Sequence, residues 1–339
     1  MSGRKTGYTV LRAVSCMAIV LMHTLNISEI LYRDEISKTQ QRAALTGVYC
    51  LMWAVPVFIM VTGALLMDPG KEIPLSKIFS KYIFRIFAAL AASVLVFAIF
   101  DDLMNEGGLS AATFTGAFRK LLEGKSWSHL WYLYLLIGLY LLLPAYRAIA
   151  AHISDREYRY LLAVLFVFLL IIPQLETAGF RTGFSIQISA VYTFYFFAGY
   201  AISSGKCRLS AKAGAVLFVS GILLTAAASC LGAAYFPDSA DALLSSYSFP
   251  TVALMAAGIF SLICGMKDRK TKIWDILDAN SFGVYLIHLI FLRIILRYMS
   301  FDPFKYGAAA FAGVAVLAYL VSQILVWLLR LIKPVRKVL

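Results

Sequence analysis

Two ionisable side chains stand inside the first apolar stretch of the chain: Arg12, in Leu11-Arg12-Ala13-Val14, and His23, at the end of Val20-Leu21-Met22-His23. A guanidinium stays charged and grips anions through a planar fork of donors, whereas a neutral imidazole accepts a proton near physiological pH. Both are costly in hydrocarbon. Each therefore marks an anion, proton or ion path, unless the arginine merely snorkels to the interface or the histidine merely bonds a neighbouring helix. Their separation of 11 residues corresponds to about 1,100° of helical rotation, roughly 20° past three turns, and a rise of about 16 Å. The pair thus faces one side of one helix, an anion-binding group toward one end and a candidate general base toward the other.

The helix carrying them belongs to a chain suited to lipid. Of 339 residues 61% are hydrophobic and 14% charged, and mean hydropathy is +0.80. Soluble chains are about 45–50% apolar and about 25% charged, so a cytosolic enzyme is excluded. The apolar residues run in long unbroken blocks, which also excludes a β-barrel. The expected fold is all-α, a polytopic transmembrane helix bundle of about ten spans. The windows are 8–25, 45–67, 78–100, 130–149, 160–173, 184–203, 213–236, 249–266, 282–299 and 306–332. The first reads as a retained span, not a cleaved signal peptide. No internal repeat or inverted symmetry is visible, so residues 1–339 form one membrane domain. Within the long loop 101–128, residues 111–122 are expected to form a short interfacial helix.

The net charge of +13, from 31 Lys+Arg against 18 Asp+Glu, becomes an orientation when sorted by loop. About 20 basic residues, among them Lys77, Lys81, Arg85, Arg147, Lys206, Arg208, Lys212 and Arg330, fall on the amino-terminal side, and about half as many on the other. Both termini are therefore expected in the cytoplasm, and the basic excess indicates topology, not nucleic acid. Lys77, Lys81 and Arg85, four apart, share one helical face at the cytoplasmic entrance. Cys16, Cys50, Cys207, Cys230 and Cys264 lack paired spacing, so neither a structural disulfide nor a metal site is expected. No zinc-protease motif, phosphate loop or dinucleotide fingerprint occurs.

The Arg12-to-His23 stretch resembles the Arg-x10-His signature in the first helix of the bacterial acyltransferase-3 family of integral membrane O-acyltransferases. Further likenesses follow in the family's order. Pro56-Val57-Phe58-Ile59-Met60-Val61-Thr62-Gly63 is similar to its second-helix segment, and Lys81-Tyr82-Ile83-Phe84-Arg85-Ile86 to its basic third-helix start. His129-Leu130-Trp131-Tyr132-Leu133, with Tyr140 and Pro144, resembles its His-x-Trp block. Tyr195-Phe196-Phe197-Ala198-Gly199-Tyr200 and Ser281-Phe282-Gly283-Val284-Tyr285-Leu286-Ile287-His288 are similar to its later motifs. The third-helix basic residues lie at intervals of four where the family often has Arg-x-x-Arg. The Trp131 block lacks the acidic run of members fused to an esterase-like domain, so the chain resembles the compact branch.

The resemblance implies a bacterial plasma-membrane enzyme that takes an acyl group, most often acetyl, from cytoplasmic acyl-coenzyme A. The acceptor would be a hydroxyl of a cell-envelope glycan or lipid-linked sugar. Acetyl-CoA is the implied co-substrate, with no metal and no nucleic acid. Lys81, Arg85 and Arg147, with Arg12, would hold the coenzyme's phosphates. His23 would act as general base, with Arg12 and His129 completing the catalytic set and His129 placed to meet the acceptor. Trp131, Tyr134, Asn280, Tyr285 and His288 are further pocket candidates, any of which could supply an oxyanion donor. The alternative is a transport or sensing module, like the membrane half of a vancomycin-resistance serine racemase, which handles an amino acid.

Overall fold

The computed structural model describes residues 6–105, 108–177, 191–236, 239–268 and 272–339, and within them every regular element is a helix. In chain order the principal ones are α1 (Thr6–Tyr32), α2 (Lys38–Leu66), α3 (Leu75–Met104), α4 (Ala111–Glu123), α5 (Ser128–Leu141), α6 (Leu143–His152) and α7 (Asp155–Leu175). They continue with α8 (Tyr192–Ser204), α9 (Ala211–Tyr235), α10 (Ala240–Leu244), α11 (Pro250–Cys264), α12 (Lys272–Tyr298), α13 (Ala308–Leu329) and α14 (Lys333–Val338). Among the described residues seven helices (α1, α2, α3, α7, α9, α12 and α13) are long and apolar enough to cross a bilayer, and the bent pair α5–α6 makes an eighth. Every hydropathy window coincides with one of these helices or with the shorter α8 and α11, although the sixth, 184–203, lies partly outside the described residues. So do Arg4, Lys5, Arg181, Arg269 and Lys270 among the charges used for orientation.

Proline explains two interruptions. The window at 130–149 is not one rod: α5 and α6 meet at 53°, next to Pro144, which cannot donate to the Tyr140 carbonyl and whose ring crowds it. Within α2 the helix is broken at Met52 and Trp53, four and three residues before Pro56, for the same reason, since Pro56 cannot donate to the Met52 carbonyl. A third irregularity is the π-helical turn Ile78–Ile83 at the start of α3. A π turn winds more residues per revolution than an α turn, so residues four apart lag there instead of advancing. The two drifts partly cancel, and Lys77, Lys81 and Arg85 stay on one stripe.

The chain divides into two compact units, Met1–Asp68 with His152–Ile324, and Pro69–Ala151 with Leu325–Leu339. In the first, α1 and α12 lie side by side and parallel, because contacts advance along both: Arg12 to Asp278, Cys16 to Ser281, His23 to His288 and Tyr32 to Leu296. Parallel neighbours need an odd number of crossings between them, a condition that the ten windows meet with seven and the eight-span count with five. The seven long helices alone leave four, so at least one further segment crosses. The second half of α2 meets α8 where Gly63 faces the Phe196 carbonyl and Gly199 the Met60 carbonyl; a Cβ on either glycine would overlap that backbone. Small residues at such a crossing let two helices approach to backbone contact, the main source of packing energy inside lipid. On α9, Val216, Val219 and Leu223 are exposed, as a lipid-facing stripe requires.

In the second unit α3 is joined by α4 and α5. Trp127 stacks on Phe97 with ring centroids 4.2 Å apart and donates its indole N–H to Asp101 Oδ2 at 2.9 Å. Helix α4 covers the expected interfacial segment: Phe114, Phe118 and Leu122, four apart, are exposed along one face, while Thr113 is buried and hydrogen-bonds Asp102. An amphipathic helix of this pattern suits the boundary between headgroups and acyl chains.

Candidate active site

The α1–α12 pair brings polar side chains of the first unit together at two levels. At the lower level Arg12 forks onto Asp278, Nε to Oδ1 at 2.5 Å and Nη2 to Oδ2 at 2.7 Å. The Asp278 side chain is 1% exposed and that of Arg12 19%. Two parallel charged hydrogen bonds in a site poor in water form the strongest polar contact available to a protein. Asn280, buried two residues further on, donates to Gln323 Oε1 at 3.0 Å, and Gln323 donates in turn to the Tyr319 hydroxyl at 2.8 Å. A chain of side-chain amides thereby ties α12 to α13.

At the upper level the half-buried His23 ring meets the fully buried His288 ring edge-on, centroids 5.2 Å apart and planes inclined by 61°. Tyr285, also buried, brings its ring to within 6.1 Å of His288. His288 Nδ1 lies 3.0 Å from the Val284 carbonyl oxygen. A carbonyl can only accept, so Nδ1 carries the hydrogen and a neutral ring keeps its lone pair on Nε2. Eleven residues of the uninterrupted helix α1 separate the levels, which corresponds to a rise of about 16 Å.

The other expected site residues lie in the second unit. His129, in the short 3-10 turn Ser128–Leu130, is buried with its ring 5.4 Å from Phe97 and 6.4 Å from Trp127. Trp131 lies against Tyr132 at 6.1 Å, and the Tyr134 hydroxyl donates to the Leu121 carbonyl at 2.5 Å. Arg85 donates from Nε to the Val338 carbonyl at 2.9 Å and from Nη2 to the Leu339 carbonyl at 2.6 Å, which ties α3 to α14. Arg147 donates to the Lys71 carbonyl. Lys81 is exposed.

Sequence reasoning missed Asp278, Glu29 and the Asp101–Trp127 pair. Glu29 is 1% exposed and accepts two hydrogen bonds at 2.9 Å from Arg33 and one at 2.9 Å from Gln41. The rule that flagged Arg12 and His23 applies equally to acids in apolar helices, and it would have found Asp278 and Glu29.

The α1–α12 pair thus sets a half-buried His23 against a buried His288 at one level and an Arg12–Asp278 ion pair at the other, an arrangement open to several chemistries. A family model described as an acyltransferase domain, that of acyltransferase-3, matches residues 6–330. The chain belongs to the acyltransferase-3 family. No curated protein and no solved structure matches it. The match runs through both compact units, so residues of the α1–α12 pair and of α3–α6 alike are part of this acyltransferase-3 domain. As a multi-pass membrane acyltransferase it needs a base for the acceptor nucleophile, donors for an oxyanion and a hold on the acyl donor.

Proposed function

We propose that the protein moves an acetyl group from cytoplasmic acetyl-CoA to a hydroxyl of an extracytoplasmic cell-envelope glycan or glycolipid in a bacterial plasma membrane, with both termini in the cytoplasm. The observation that carries the reading is the His23–His288 couple, held within the membrane on two parallel helices at 5.2 Å. His23 takes the proton from the acceptor hydroxyl. The oxygen attacks the thioester carbonyl, the new C–O bond forms, and collapse of the tetrahedral oxyanion breaks the C–S bond. The coenzyme leaves as thiolate and is reprotonated by the His23 imidazolium, which restores the neutral base. His288, with its hydrogen committed to Val284, offers Nε2 to steady that imidazolium. His129 meets the acceptor, while Lys81 and Arg85, with Arg147, hold the coenzyme's phosphates. Trp131, Tyr134, Asn280 and Tyr285 are the candidates for shaping the pocket and stabilising the oxyanion. Parallel α1 and α12 followed by a crossing α13 support termini on one side.

Isothermal titration of the purified protein with acetyl-CoA tests donor and phosphate cradle together. Micromolar binding that weakens at least tenfold in Lys81→Ala/Arg85→Ala, and weakens with salt as charge pairing in the cradle requires, is the expected result. Binding of serine with none of acetyl-CoA would replace this reading by the transport or sensing one. In turnover, His288→Ala should lower kcat by about tenfold or more with the acetyl-CoA KM little changed; a KM effect alone would remove His288 from the proton path.

A further inference from the structure

Arg12 has so far been an anion-binding group in search of its anion. The structure holds one already, 266 residues away in the chain: the carboxylate of Asp278, gripped by both arms of the guanidinium. We infer that Asp278 is a positioning residue, and that its ion pair with Arg12 sets the register of α1 against α12 and so delivers His288 to His23. This rests on the proposed role of His23 as base.

The register is legible in the sequence offsets between partners. Arg12 and Asp278 differ by 266, Cys16 and Ser281 by 265, and Tyr32 and Leu296 by 264. His23 and His288 differ by 288 − 23 = 265. The two helices therefore run in step from Arg12 to Tyr32. A slip of one residue would turn His288 by about 100° away from His23. Along this stretch both helices are otherwise largely apolar. Leu11, Ala13, Ile19 and Val20 on α1, like Val284, Leu289 and Leu292 on α12, are buried apolar groups, and apolar surfaces tolerate alternative pairings. Of the polar contacts on the ladder, Cys16 Sγ to the Ser281 carbonyl is a weak thiol bond at 3.4 Å, and Tyr32 stands at the far end of α1. A bidentate charge pair is different: it has one geometry, and breaking it strands a charge in a site of low dielectric. Fixing register is the best-attested use of buried polar groups between helices. The charge of Arg12 is also answered from within the protein, so the coenzyme's phosphates belong to other cations.

The test is a double-mutant cycle in the full chain, reading kcat, the acetyl-CoA KM and the melting temperature for Arg12→Gln, Asp278→Asn, the double variant Arg12→Gln/Asp278→Asn and the reversal Arg12→Asp/Asp278→Arg. Each single variant is expected to lose at least tenfold in kcat with KM within threefold. The neutral double, which strands no charge, should recover most of that loss, and the reversal at least part of it. A double variant as slow as the slower single, or a tenfold rise in KM wherever Arg12 is replaced, would overturn the inference and make Arg12 a donor-binding group. Should the wild-type protein neither bind nor turn over acetyl-CoA, the donor assignment fails and the clamp is judged by melting alone. A double variant then melts well above the sum of the single losses if the pair is coupled, and strict additivity overturns it.

Discussion

His23→Ala is expected to abolish acyl transfer while leaving the acyl donor bound. Loss of a positioned general base lowers kcat by about 10²–10⁴-fold, because the acceptor hydroxyl must then shed its proton with no base within reach. The acetyl-CoA Kd should stay within a few-fold, since the proposed phosphate cradle of Lys81, Arg85 and Arg147 does not include His23. The two measurements are thiol release from acetyl-CoA, with envelope fractions as acceptor, and calorimetry of the same preparations. His23→Gln should be nearly as slow as the alanine variant, because an amide fills the space without taking a proton. Transfer at the wild-type rate by either variant would remove His23 from the chemistry.

The largest structural effect is expected where α2 crosses α8. A Cβ at Gly199 would fall inside the Met60 peptide, and one at Gly63 inside that of Phe196. Neither obstacle is a flexible side chain, so the helices themselves must separate. Gly199→Val and Gly63→Val should each cost about 3 kcal/mol, the upper end for overpacking, and lower the melting temperature by about 4 °C, or yield no monodisperse protein. Gly138→Ala and Gly313→Ala are the controls: nothing lies within 4 Å of a Cβ there, and alanine in mid-helix should be neutral or stabilising by up to about 1 kcal/mol. If Gly199→Val melts with these controls, the close crossing is not what holds the two helices together.

Hydropathy located the membrane helices well because lipid imposes one rule on all of them. It placed their ends less well, and those ends explain what was missed. The window beginning at Phe282 leaves out the first ten residues of α12, and with them Asp278, so an intramembrane carboxylate fell outside every expected span, although Asn280 two residues on was among the pocket candidates. The first window stopped at Leu25, yet α1 continues through Asn26, Ser28 and Glu29 to Tyr32, because Arg33 and Gln41 satisfy a glutamate that hydropathy counts as an end. What a single sequence cannot carry is the partner of a buried charge, since the groups that neutralise each other belong to different helices. Arg12 and His23 were legible because both lie on one helix at a spacing that helical geometry decodes. Asp278 and His288 were not legible as their partners, because only the register between α1 and α12 makes them so.

That separation along the chain also has a time attached. Ribosomes add about 5–20 residues per second, so Asp278, made 266 residues after Arg12, follows it by roughly 13–53 s. Through that interval α1 carries a positive charge whose partner carboxylate does not yet exist. Helix α1 is thus made well before its seam can be completed, and assembly of the α1–α12 seam waits on the synthesis of α12.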